Sequence, residues 1–171
     1  MNETITTPRH IYTDGAAPNN QTGCKVGGLG VVIMVNGQPI AQYSERVLPS
    51  AGMKTTTNVR CEMLAVIKAL ELAEPNDIIH TDNQMIANGF NEWLAGWKLK
   101  GWKNASKKPV ANKDLWLTID KLKQEKPEVT VVWVEGHAGI EGNELADSLA
   151  INGASLSRLT NISHNLQTMK L

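Results

Sequence analysis

A chain of 171 residues, 42% hydrophobic and 20% charged, is long enough to bury a core without disulfide or metal staples. Two cysteines, Cys24 and Cys61, make no disulfide framework and have no metal-type Cys/His spacing around them, so a reduced, cytoplasmic setting is expected. The net charge is zero, with 17 basic and 17 acidic side chains, which excludes a uniformly polycationic binder but not a locally charged one.

The start, MNETITTPRH, is polar and reads as neither a signal nor a transit peptide, and no apolar run is long enough to span a bilayer. HIYT reads as a short strand ending at Asp14, followed by a loop rich in Gly, Pro and Asn through Gly30. VVIMV is a buried strand, NGQP a tight turn and IAQYSERV its hairpin partner. A polar loop from about Leu48 to Thr56 leads into the helix TNVRCEMLAVIKALELA, capped by Thr57 or Asn58 and stopped by Pro75. DIIHT is a strand ending at Asp82, and short helical segments follow over Gln84–Gly89 and Asn91–Leu99. KDLWLTIDKLKQE is an amphipathic helix, EVTVVWVE the last strand, and NELADSLAINGA the final helix.

With no repeat, low-complexity tract or linker, one domain over residues 1–171 is expected, with its core at about 9–154 and a polar tail from 155. Three strands, then strands alternating with helices, predict an α/β fold with a mixed sheet flanked by helices.

Between Lys98 and Lys113 lie six lysines and no acid, with Trp97 and Trp116 on either side and Trp102 within. Elsewhere eleven basic residues face seventeen acidic ones. The segment is either a solvated loop or a surface for a polyanion.

Asp14 and Asp82 each close an apolar strand, where ligands of open α/β sheets gather, although Asp also starts turns and caps helices. Glu62 carries more weight. At about 100° per residue, Ala65, Val66, Ala69 and Ala73 fall within about 60° of it, while Leu64, Lys68 and Glu71 lie opposite. A carboxylate on the packing face must be neutralised, paired or bound to a cation, and Arg60 points elsewhere on the wheel. Asp147 projects with Ala150, Ile151 and Ala154, a small-residue face that lets its helix approach closely. Four converging carboxylates would repel one another unless divalent cations held them, and hard oxygen donors suit Mg²⁺ or Mn²⁺. Two such ions can activate water and stabilise a leaving oxygen in phosphodiester hydrolysis. His137, among Gly136, Gly139 and Gly142, is either a proton shuttle or a plain surface histidine. His10 and His80 read as structural, and His164 lies in the tail. GGLGVV lacks the signature of a P-loop or dinucleotide site; its glycines permit close packing.

The segments YTDGA, TTTNVRCEMLAVIKALE, TDNQ, WKLKGWKNASKKPVANKDLW and VEGHAGIEGNELAD, in this order, resemble bacterial type-1 ribonuclease H from about His10 to Ala154. The resemblance implies a five-stranded mixed sheet with helices on both faces and hydrolysis of the RNA strand of RNA–DNA hybrids by two metal ions, Mg²⁺ or in its place Mn²⁺, leaving 5′-phosphate and 3′-hydroxyl ends. It implies metal binding by Asp14, Glu62, Asp82 and Asp147, and proton transfer or product release by His137. By the same resemblance Thr57, Asn58, Arg60 and Gln84 contact substrate. Trp93, Trp97, Lys98, Lys100, Trp102, Lys103, Lys107 and Lys108 form a basic protrusion against the DNA strand. A monomer with no obligatory protein partner and no membrane contact is expected.

The chain departs from the family pattern at Val59, where a second asparagine is common, and at Glu135, where a basic residue is common. The loops after Asp14 and after Val47 are extended. A non-catalytic hybrid binder would have no use for four acids facing phosphates, and the lysine–tryptophan segment separates the chain from other nucleases on the same fold.

Overall fold

The structure, a computed structural model, describes residues 7–18 and 25–155; the expectations for Cys24, His164 and the tail beyond 155 fall outside these residues. Five strands, β1 (His10–Ala16), β2 (Gly27–Val35), β3 (Gln38–Val47), β4 (Ile78–Thr81) and β5 (Thr130–Trp133), form one sheet in the order β3-β2-β1-β4-β5. β1, β2 and β3 pair antiparallel, with a two-residue turn between β2 and β3, while β4 pairs parallel to β1 and β5 parallel to β4. The parallel pairs need crossovers, which helices supply. These are α1 (Asn58–Leu72), α2 (Gln84–Asn88), α3 (Leu94–Leu99) and α4 (Lys113–Glu125), and α5 (Glu141–Ser155) is the last element among the described residues.

The sheet separates two apolar layers. On one face Ile11, Val31, Ile33, Ile79 and Val131 meet the buried side of α1 and the α4 residues Trp116 and Ile119. On the other, Val32 and Met34 meet Ala146, with Tyr12, Leu145 and Leu149 around them. In α1, Ala65, Val66, Ala69 and Ala73 are buried and Glu71 is exposed, the orientation expected from the wheel. Thr57 caps this helix by accepting from the Arg60 amide at 3.2 Å. Its far end has neither a glycine cap nor a basic residue in the last turn. There Lys126 reaches across and donates its ammonium to the carbonyls of Leu70, Glu71 and Ala73 at 2.7, 2.9 and 2.9 Å.

Two elements differ from the expected bounds for packing reasons. The glycines before VVIMV belong to β2 and not to a loop: they pair with β3, and at Gly28 and Gly30 also with β1, and α5 lies directly on those two. The helical run after Asp82 is continuous to Leu99, with a π-helical turn over Gly89–Trp93. That turn is tied down by Asn91, whose amide donates to the Ala87 and Val131 carbonyls at 2.9 and 2.8 Å. The packing face of α5 runs through Gly142, Asn143, Ala146, Ala150 and Gly153, so Ile151 is exposed, against the expectation that grouped it with Asp147.

His10 and His80 share a hydrogen bond of 2.9 Å between Nδ1 and Nε2, and Tyr12 stacks on His80 at 4.3 Å. Burial, and then the neighbouring His10, lower the His80 pKa to about 4, which fits a structural pair.

The closeness of α5 to β2 is testable at Gly30. An added Cβ would collide with the Ala146 carbonyl and the Ala150 amide, so Gly30→Ala should destabilise the protein by about 1–3 kcal/mol in urea unfolding. An unchanged midpoint would show that α5 can shift away at no cost.

Candidate active site

The acidic residues gather where β1 and β4, the parallel pair at the middle of the sheet, reach their carboxyl ends. Asp14 lies near the end of β1, and Asp82 follows the last residue of β4. Glu62 reaches them from the second turn of α1. Gly15 allows this, since a side chain there would strike the Cys61 carbonyl carbon and the Glu62 amide. Each of Asp14, Glu62 and Asp82 offers a carboxylate oxygen, and these oxygens lie within 4.8 Å of one another. Asp147 of α5 stands outside this group of three, near enough to help raise the Asp14 pKa and for its charge to be felt at Asp82.

The electrostatics of this group follow from crowding like charges where water is scarce. Asp14 is only 5% exposed, and burial first, then the Asp82 charge, push its pKa up to about 9. Glu62 is pushed up to about 7, mainly by burial, against hydrogen bonds from Asn83 and Asn58 that favour its anion. Burial also raises Asp82, while His137 opposes the rise. His137 lies close enough for its charge to act on Asp82, next to Gly136, whose added Cβ would stand 3.0 Å from Asp82 Oδ2. It is exposed and holds a left-handed backbone conformation, φ 56°.

Two asparagines orient Glu62. Asn58 donates to Oε1 at 3.3 Å, and Asn83 donates to Oε2 while its own Oδ1 caps α2 at the Ile86 amide, 3.1 Å. Sequence reasoning missed Asn83. An Asn directly after a strand-end Asp and before a helix was the available signal.

The expected substrate residues divide into two groups. Thr57, Asn58 and Gln84 sit at helix starts beside the acids. Arg60 turns away, toward the first turn of α4, as the helical wheel required. Further out, Trp97 packs between three rings, with centroid distances of 5.8 Å to Trp93, 6.5 Å to Trp102 and 5.2 Å to Trp116. The lysine-rich segment is a built loop and not a solvated coil. Lys103 bridges to Pro109, the Trp102 carbonyl accepts from Val110, and the Asn104 side chain accepts from the Ser106 and Lys108 amides. Lys100, Lys103, Lys107 and Lys108 are exposed on it, whereas Lys98 pairs with Asp120 of α4 at 3.2 Å.

The donor set Asp14, Glu62, Asp82 is all carboxylate oxygen, the chemistry that suits hard divalent cations. Bringing positive charge among them would restore their ionised forms.

The family model for RNase H matches residues 7–155. A Ribonuclease H of Ralstonia nicotianae is 43% identical over 150 residues, covering 86% of this chain and 92% of that protein. A Ribonuclease H of Francisella tularensis subsp. novicida is 47% identical over 141 residues, covering 81% and 86%. Among solved structures, a foamy viral protease-reverse transcriptase in complex with an RNA/DNA hybrid superposes with a TM-score of 0.73 at 27% identity, over 91% of this chain and 21% of that one. With its five-stranded mixed sheet and its acids at the ends of the parallel pair, the chain belongs to the RNase H family.

Proposed function

We propose that the protein is an endonuclease that hydrolyses the RNA strand of RNA–DNA hybrids, leaving 5′-phosphate and 3′-hydroxyl ends. The observation that carries this reading is the convergence of Asp14, Glu62 and Asp82, beside an exposed lysine loop, in a chain of the RNase H family. Asp14, Glu62, Asp82 and Asp147 would hold two divalent cations, Mg²⁺ or in its place Mn²⁺. When bound, these supply a nucleophilic water and stabilise the leaving oxygen. Asn58 and Asn83 keep the Glu62 carboxylate turned toward the other acids. His137 moves a proton next to Asp82. Thr57, Asn58 and Gln84 contact the RNA-bearing groove, where a hybrid differs from duplex DNA by its 2′-hydroxyls. The tryptophans at 93, 97 and 102 and the lysines at 100, 103, 107 and 108 hold the uncut strand. No helix among the described residues is long and apolar enough to cross a membrane. As a separate part of the proposal, the enzyme is a cytoplasmic monomer without an obligatory protein partner.

A labelled RNA–DNA hybrid should be cut only with Mg²⁺ or Mn²⁺ present, while RNA–RNA and DNA–DNA controls stay intact. Asp14→Asn should abolish cleavage and keep the fold by circular dichroism. Normal turnover by that variant would rule out its role. His137→Ala should slow turnover by about a hundredfold without ending it.

The raised carboxyl pKa values also make a stability prediction. Between the unfolded Asp value of 3.8 and the folded value of about 9, the folded chain holds a proton at Asp14 that the unfolded chain has released. Stability of the metal-free protein should therefore fall as pH rises through that window. Mg²⁺ should raise the melting temperature more at pH 8 than at pH 5, and Asp14→Asn should flatten the metal-free pH profile. A profile equally steep in Asp14→Asn would refute the assignment.

Replacing Lys103, Lys107 and Lys108 together by Ala should mainly raise KM. The slope of log binding constant against log salt should flatten by about 0.9 for each phosphate that these lysines no longer neutralise. Constant binding with a collapsed kcat would contradict a docking role.

A further inference from the structure

We infer that Arg60 is a positioning residue: with Asp114, Asn112 and Ser50 it clamps the root of the lysine-rich loop and the β3–α1 loop onto the start of α1, fixing the charged loop relative to the acids. This rests on the hybrid-cleaving reading for its functional meaning, though not for its geometry.

The geometry is a fork with both terminal nitrogens used twice. Arg60 Nη1 donates to Asp114 Oδ1 at 3.0 Å and to Asn112 Oδ1 at 3.2 Å. Nη2 donates to Asp114 Oδ2 at 2.7 Å and to the Ser50 hydroxyl at 2.7 Å. A single exposed ion pair contributes little to stability, but a bidentate guanidinium–carboxylate pair joined to neutral acceptors in a network is the exception. The Arg60 side chain is 15% exposed, so the pair is shielded on one side. Its hydrogen bond holds the Asp114 carboxyl below the usual range.

The partners come from two segments, the start of α4 and the β3–α1 loop. Asp114 is in the first turn of α4, where the lysine loop ends. Asn112 stands at the N-cap position of α4 in a left-handed conformation, φ 57°, yet makes no side-chain cap bond. Its oxygen serves Arg60 instead. Ser50 begins the turn in the extended β3–α1 loop, its carbonyl accepting from the Met53 amide at 2.9 Å. At the other root of the lysine loop, Lys98 pairs with Asp120. Both roots are thus held to α4, and Arg60 ties α4 to the helix that carries Glu62 two residues later.

A clamp and a direct phosphate contact predict opposite results from one substitution. If Arg60 worked on the substrate, Asp114 would compete with phosphate for it. Asp114→Asn would then leave KM unchanged or lower it, and the salt dependence of binding would steepen. If Arg60 is a clamp, Asp114→Asn loosens the loop root. KM should rise about three- to tenfold, kcat should stay within about twofold and the salt slope should not change. Arg60→Lys should raise KM likewise, because an ammonium cannot replace the planar fork. Ser50→Ala should give a smaller rise in the same direction.

Amide hydrogen exchange of residues 102–112 gives a readout independent of catalysis, with urea unfolding as the control for global stability. Asp114→Asn should speed exchange there by at least several-fold while the unfolding midpoint moves little. An unchanged or lowered KM, a collapse of kcat, or unchanged exchange in residues 102–112 would each overturn the clamp. Absence of hybrid cleavage by the unsubstituted protein would instead overturn the proposed activity, and the exchange measurement would still decide the clamp.

Discussion

The arrangement depends on holding like charges together. Asp14, Glu62 and Asp82 bring oxygens within 4.8 Å at a place where Asp14 is almost wholly buried, and both burial and mutual repulsion work against their ionisation. What opposes them is packing. β1 and β4 are fixed as neighbours by their parallel ladder, and α1 lies so close to β1 that Gly15 has no room for a side chain. The core beneath, with Ile11, Ile79, Val66 and Ala69 fully buried, keeps the backbone from yielding to the repulsion. Stability is thus given up at the strand ends and supplied by the apolar layers below.

The positive half of the charge distribution is built on a different principle. Lysines exposed to water repel one another weakly, so they need shape more than burial. Backbone and asparagine hydrogen bonds supply that shape, and the tryptophan contacts anchor it. Trp102 and Lys107 adopt left-handed backbone conformations, φ 63° and 60°, which side-chain-bearing residues seldom hold unless their surroundings demand it. A loop held in this way loses less freedom on meeting a polyanion than a disordered tract of the same charge would.

Much of this was legible in the residues, because the strongest signals come from periodicity. The wheel that put Ala65, Val66, Ala69 and Ala73 on the packing face of α1 agrees with their burial, Glu62 on that face does reach the other acids, and the bounds of α4 match KDLWLTIDKLKQE. What periodicity could not show was decided by contacts distant in sequence. Gly28 and Gly30 looked like loop glycines because the helix that demands them begins more than a hundred residues later. Asn83 went unread in the sequence, because only the fold brings Glu62 beside it. The π-helical turn at Gly89 sits against the Trp116 ring, another partner that no local pattern reveals. Asp147 was grouped with Ile151 on a helix face, but the way α5 lies across β1, β2 and β3 leaves Ile151 outside.

The two halves must also be kept at a set separation, since a hybrid is a stiff object and cannot bend to suit a loose protein. The acids stand on β1, β4 and α1, while the lysine loop hangs between α3 and α4. Buried apolar contact joins α4 to α1 through Trp116 and Ile119, but such contact tolerates small sliding. A planar guanidinium with four directional bonds does not. Its four bonds join the start of α4 and the β3–α1 loop to the first turn of α1, just after the Thr57 cap and two residues before Glu62. The same turn of α1 therefore presents a carboxylate to the acid cluster on one side and a cation to the root of the basic loop on the other. The neutrality of the chain conceals this division, because a sum over 17 basic and 17 acidic side chains does not record where the acid cluster and the lysine loop stand.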